Sequence, residues 1–327
     1  MIVCPFCFNK SFSGGSCSSC QQRLPNNLDG SGLMFSIIGS TESGKSHYIA
    51  MLIAQLYSQA RRFRWSCRAL NDETMNLYDK RFRKRLYGDR ETIVKTQADD
   101  DEAHRPLIYG LNFDSGAPSV MLVFYDAGGE RFANEETMAR TTRYLSESSG
   151  VIFLVDPLQF PEVREKFKAS GEGVEADLPD PSFSDARVAN VFQRLITVLH
   201  NRERSGAQKV QTPVAVTLSK IDALRFLLTD EAPLFLPSFH RRYGCFCNSE
   251  ARRIDDYLRS FLAAIDPHRE LLNQLQQLDN CCCFGMSALG QNPKSTEQRL
   301  LFPPRPLRVL DPFLWLLKQH GLIAEVD

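Results

Sequence analysis

No apolar run in the sequence approaches the ~20 residues of a membrane-spanning helix, so no membrane span is expected. Charge of one sign is not in excess. The 39 Lys and Arg stand against 39 Asp and Glu, so no global field draws the chain to nucleic acid or a membrane surface, and nucleic acid is not indicated as a partner. The first residues, Met-Ile-Val-Cys, lack the basic and then apolar regions of an export signal. Without one, ten cysteines read as thiols of a reduced, cytoplasmic chain. What is present is 327 residues, 43% hydrophobic and 24% charged, which suits one large globular domain with small attachments.

Residues 1–25 are set apart by Cys4-Pro5-Phe6-Cys7 and Cys17-Ser18-Ser19-Cys20. Two such pairs offer four thiolates from two knuckle turns, the donor set of a closed tetrahedral Zn²⁺ site with a structural role. A redox pair or an iron–sulfur site is the alternative. A segment this short cannot bury enough apolar surface to fold alone, so a metal would hold it together. Phe6, Phe8 and Phe12 either pack around the metal or form a contact surface. Residues 26–32 read as a polar, turn-rich linker.

The domain expected over 33–327 begins with an apolar strand and then Gly39-Ser40-Thr41-Glu42-Ser43-Gly44-Lys45-Ser46, with His47 following. Strand, glycine-rich turn and helix in that order fit a phosphate-binding loop. Glycines let backbone N–H groups point inward, Lys45 reaches the β- and γ-phosphates, and the Ser46 hydroxyl takes a Mg²⁺ position. The helix N-terminus adds its dipole. The bland alternative is a glycine turn with a solvated lysine. Ile49, Leu52, Ile53 and Leu56 mark a buried helix face behind the loop.

Residues 61–105 are first basic and then acidic, and read as a solvated helix face or a patch for an acidic partner. Residues 105–113 and 119–125 form two strands joined by too short a link for a crossover, hence an antiparallel hairpin. The second runs into Asp126-Ala127-Gly128-Gly129-Glu130, which places a carboxylate for Mg²⁺ and a glycine N–H for the γ-phosphate. A helix over 134–148 and buried strands at 150–156, 213–218 and 281–286 follow, with an irregular insertion at about 157–183 and a second insertion at about 223–278 in which 249–264 and 269–278 read as helices. The strand at 213–218 leads into Ser219-Lys220-Ile221-Asp222, the last strand into Ser287-Ala288-Leu289. Cys245 and Cys247 lack a second pair and read as plain thiols.

This order resembles the P-loop GTPases of the translation-factor and Ras-like (TRAFAC) class. That implies an α/β three-layer sandwich whose sheet is mostly parallel with one antiparallel strand. Ser219 to Asp222 resembles the guanine-specificity motif. In that family Asp222 would accept from guanine N1 and N2, the Lys220 stem would stack on the base, and backbone N–H groups of Ser287, Ala288 and Leu289 would meet O6. Adenine lacks the donor pair, so an unpaired Asp222 would disfavour ATP by roughly 1–3 kcal/mol. Thr96, with Thr92 second, is the candidate switch-one threonine that completes a Mg²⁺ shell with Ser46 and Asp126. Glu130 stands where Ras-like proteins orient water with glutamine, and Thr41 where many relatives have glycine, so slow GTP hydrolysis is implied. The four-cysteine head and the tail Arg308-Val309-Leu310-Asp311-Pro312-Phe313-Leu314-Trp315 are similar to bacterial double-GTPase-type proteins of conflict or signalling systems. The expectation is a GTP/GDP switch with a protein partner, a second GTPase being one candidate. A nucleotide-bound adaptor without turnover is the other reading. An ATP-dependent enzyme conflicts with Lys220 and Asp222.

Overall fold

The computed structural model describes residues 2–12, 15–25, 33–40, 42–93, 105–125, 135–170, 188–203, 208–291 and 299–327. Its centre is β7, Gly150–Val155, buried at all positions. A strand covered on both faces needs apolar side chains throughout. Ile152 and Leu154 enter one core, Val151, Phe153 and Val155 the other. β3 (Leu33–Gly39) and β8 (Val214–Leu218) flank it in parallel.

The sheet extends from β8 to β10 (Cys281–Gly285), and from β3 through β6 (Val120–Phe124) to β5 (Leu107–Phe113) and β4 (Trp65–Ala69). β5 runs antiparallel to both neighbours, so the expected hairpin and single reversed strand are present. β4 was not anticipated. Trp65 and Cys67 are buried while Ser66 and Arg68 are exposed, a two-residue period hidden inside the basic run.

Helices cover both faces. On one lie α1 (Lys45–Ser58), whose Ile49, Leu52, Ile53 and Leu56 are fully buried, and α10 (Asp311–Gln319). On the other lie α4 (Glu135–Ser146), α6 (Val188–Arg202) and α8 (Asn248–Ile265). α6 shows why helix forms there: Val188, Val191, Phe192, Leu195, Ile196 and Leu199 make one buried stripe at helical spacing. This is the three-layer α/β sandwich expected.

Between α1 and β5 the charged stretch folds as α2 (Ala60–Phe63), β4, α3 (Asp72–Tyr78) and a π-helical continuation, Asp79–Asp89. The Asn71 side chain caps α3 by accepting from the Thr74 N–H at 2.7 Å. Arg61, Arg62, Arg64 and Arg68 are exposed, and Arg83 and Arg85 pair with Asp79 and Glu91. The insertion after β7 is not wholly irregular. A 3₁₀ turn at Pro157–Gln159 leads to α5 (Pro161–Ser170), anchored by Val163 and Phe167 four residues apart. Before α8 come α7 (His240–Tyr243) and β9 (Phe246–Cys247), and after it α9 (Glu270–Leu275). The last strand, β11 (Glu325–Val326), pairs in parallel with β9. Among the described residues no helix is long and apolar enough to cross a membrane.

The N-terminal unit is built on a two-residue hairpin, β1 (Ile2–Val3) with β2 (Lys10–Ser11). It has its own small core, Ile2, Cys4, Cys17 and Leu24.

Candidate functional site

β3 ends at Gly39, where a Cβ would lie 2.5 Å from Ser43 Oγ and 2.8 Å from the Leu154 carbonyl. Only glycine lets the loop fold back so closely over β7. Glu42 and Gly44 both take left-handed φ, 62° and 79°. Gly44 starts α1 with no side-chain cap, and the first turn holds no acidic residue. The positive end of α1 therefore faces the loop without an internal counter-charge, the electrostatics an anion requires. The Ser43 hydroxyl is buried without a partner. Ser40 Oγ donates to Gln159 Oε1 at 2.9 Å, tying the loop to the turn after β7. Lys45 and Ser46 open α1, half-buried. Thr41 lies outside the described residues.

The second cluster sits at the ends of β7, β8 and β10. Lys220 Nζ donates to Asp156 Oδ2 at 2.7 Å, and Asp156 is fully buried. The other oxygen of Asp156 accepts from the Leu158 N–H. Burial pulls the Lys220 ammonium down, but the paired Asp156 carboxylate, helped by Glu42 and Asp222, outweighs it and the net shift is upward. The Lys220 stem runs beside the phosphate loop, 3.9 Å from where a Gly44 Cβ would stand. Burial pushes the Asp222 carboxyl up, and a hydrogen bond from the Ser287 hydroxyl partly offsets it. Ser287 Oγ also accepts from the Gly290 N–H at 2.8 Å.

Ser287 exchanges backbone hydrogen bonds with Leu307, and the Arg305 N–H donates to the Leu289 carbonyl. Gly290 has φ 69° and leaves no room for a side chain beneath Arg305. Ala288 and Leu289 are thereby buried in a braced turn. Ser219 has a different task. Its hydroxyl and its N–H both donate to the Val155 carbonyl, at 3.2 and 2.8 Å, locking β8 to β7.

Asp126, Gly129, Glu130 and Thr96 lie outside the described residues. Their flanks are fixed: Tyr125 and Ile93 are buried. His47 Nε2 accepts from the Ile93 N–H at 3.1 Å, and Arg85 donates to the carbonyl of Thr92, itself buried. Burial first, then the Lys220 ammonium, lowers the His47 pKa from 6.5 to about 4. Between those values the unfolded chain binds the extra proton. Stability from a neutral His47 is thus complete above pH 6.5 and is lost as pH falls toward 4. Urea midpoints between pH 7 and pH 5 should fall less for His47→Gln than for the parent; equal slopes would refute this role.

The four N-terminal thiols meet. Cys4 and Cys20 sulfurs are 3.7 Å apart, as are those of Cys7 and Cys17, and all four lie within 4.8 Å of one another. A tetrahedron of sulfurs at the Zn–S distance has edges of about 3.8 Å, so the cage fits zinc. Both turns have one plan, with Phe8 and Gln21 at φ 61° four residues beyond Cys4 and Cys17. Their N–H groups return to the carbonyls of those cysteines. Burial raises the Cys17 thiol, but N–H groups of Cys20 and Ser19 and the neighbouring sulfurs bring it down to about 6. Among the described residues no other cysteines group this way, Cys245 and Cys247 included.

Asp156, Gln159 and Tyr144 escaped sequence reasoning. Asp156 closes an apolar strand and carries no motif. Its only signal is a carboxylate at a strand end beside the phosphate loop.

The chain is similar to three known proteins and matches one family model. A protein of Mycolicibacterium smegmatis named for ESX-1 scaffolding and assembly, SaeC, is 28% identical over 94% of this chain and 80% of its own length. The Ski7 GTPase-like domain of S. cerevisiae, solved with GTP, aligns at TM-score 0.42 and 14% identity over 89% of this chain; the chain spans 50% of its length. A Plasmodium falciparum structure named nucleolar GTP-binding protein 1 aligns at TM-score 0.34 and 12% identity, covering 89% of each. The family model described as Double-GTPase 2 matches residues 33–251.

Proposed function

Because the chain belongs to the Double-GTPase 2 family, we propose that it is a Mg²⁺-dependent guanine-nucleotide switch with slow intrinsic hydrolysis. One observation carries the reading. Lys220 lies against Gly44 of the phosphate loop while buried Asp156 holds its ammonium, and Ser287 holds the Asp222 carboxyl beside it. Phosphate and base seats are thus joined by side chains that have already found their partners.

In this reading residues 39–47 wrap the phosphates and Lys45 neutralises the β- and γ-phosphate oxygens. Asp222 accepts from guanine, with the Lys220 stem over the base and Ser287, Ala288 and Leu289 at its edge. Ser46, Asp126 and Thr96 would hold Mg²⁺, which offsets phosphate charge. Ser219 acts through the strand ends. Gly129 would donate to the γ-phosphate, and Glu130 beside it would meet the attacking water with a carboxylate that repels the phosphate, hence slow turnover. The four N-terminal cysteines would hold a structural Zn²⁺.

Titration with GTP, GDP and ATP tests this. GTP and GDP should bind at least ~10-fold tighter than ATP, with phosphate release below about 1 s⁻¹. Equal affinity for ATP would overturn the base seat, and faster unassisted release the slow switch. The relative named for scaffolding and assembly favours a second reading, a nucleotide-bound adaptor in a protein assembly. That reading predicts nucleotide retained through purification and no measurable phosphate release.

A further inference from the structure

β3 and β6 are paired only as far as Phe35 and Leu122. Beyond that register β3 leads to the phosphate loop and β6 to Tyr125. Tyr144 of α4 links the two. Its hydroxyl accepts from the Ile37 N–H at 3.2 Å and donates to the Val123 carbonyl at 2.8 Å. One buried side chain thus replaces a strand-to-strand bridge two residues before Gly39. Ser148 Oγ donates to the Tyr144 carbonyl at 2.7 Å, so the end of α4 is fixed there.

Tyr144 has a second neighbour. The ring of Phe8, from the cysteine knuckle, packs on it at 5.0 Å and meets Tyr125 edge-on at 6.4 Å. Phe8 is buried in the core of the large domain, whereas Phe12 of the same unit is 78% exposed. The Phe8 N–H is bonded to the Cys4 carbonyl at 2.9 Å, and its φ of 61° is one a phenylalanine rarely adopts. It is retained because the turn around Cys4 and Cys7 demands it. The shape of the thiol cage therefore sets the position of Phe8.

We propose that Phe8 and Tyr144 are positioning residues for the nucleotide site, and that through them zinc in the thiol cage and nucleotide in the phosphate loop stabilise each other. The proposal rests on the guanine-nucleotide reading above. A ligand that fixes the end of β3 fixes Ile37, hence Tyr144, hence the seat of Phe8. By reciprocity zinc raises nucleotide affinity by the factor by which nucleotide raises zinc affinity, on the order of fivefold for couplings of this kind.

The test uses the full chain and a competing chromogenic chelator, reading zinc affinity at equilibrium with no nucleotide, with GDP and with a non-hydrolysable GTP analogue. Nucleotide should raise zinc affinity about fivefold. Phe8→Leu and Tyr144→Phe, which keep most of the packing, should bind zinc stoichiometrically but lose that dependence, whereas Phe12→Ala should keep it. A general stabilisation of the fold by nucleotide would persist in all three variants, and that outcome overturns the proposal. So does a zinc affinity indifferent to a nucleotide shown to be bound. Absence of any guanine-nucleotide binding would overturn the reading beneath as well.

Discussion

Lys45→Ala should leave a folded protein whose GTP affinity has fallen by about 100-fold or more, on the order of 3 kcal/mol for a charged contact to phosphate. Lys45 is the first residue of α1, placed there by the left-handed turn at Gly44. The loop offers backbone N–H groups and a helix dipole, but those are partial charges. A triphosphate needs a full one. Lys220, whose stem runs beside the loop, cannot stand in because its ammonium is committed to Asp156. Calorimetric titration of GTP would measure the loss, with an unchanged far-ultraviolet spectrum showing that the fold persists. Undiminished GTP affinity would refute the site.

Arg308→Ala should cost about 3–5 kcal/mol of stability, the usual penalty for stranding buried partners of a charge. The Arg308 side chain is wholly buried. It donates to the carbonyls of Leu234 and Leu236, to Glu250 Oε1 at 3.0 Å and to Asp311 Oδ2 at 2.7 Å. Asp311 also lies 3.2 Å from His240 Nδ1. One guanidinium thus ties the segment before α8, α8 itself and the start of α10. Its removal leaves the Glu250 and Asp311 carboxylates without the cation they share. Urea unfolding should show a lower midpoint with little change in slope. A loss below about 1 kcal/mol would mean that water or rearrangement satisfies those carboxylates.

Much of this fold is written locally. β7 and β10 are unbroken apolar runs, β8 is interrupted only by Thr217, and the phosphate loop is a short motif between strand and helix. β4 was obscured because Ser66 and Arg68 sit between its buried residues in a run otherwise read as solvated charge. α5 was obscured by Pro161 and by the acidic, glycine-rich stretch after it, although Val163 and Phe167 mark its buried side. Contacts at long range were illegible for another reason. Asp156 meets Lys220, Gln159 meets Ser40 and Phe8 meets Tyr144 only after the sheet has assembled, and no periodicity anticipates such pairs. Asp222, which the proposed function assigns to the base, stands out by its motif, whereas the hydroxyl of Ser219 turns to Val155.

The brace on the turn at Ser287 comes from Arg305 and Leu307, which follow it in the sequence and lie far beyond the loop at Gly39. During synthesis the loop at Gly39 emerges early, and the turn that would close over the base waits for those residues to leave the ribosome. A nascent chain stalled before Leu307 therefore carries the phosphate seat without a rigid base seat. Nucleotide capture should accordingly follow the emergence of Leu307 rather than nucleate the fold.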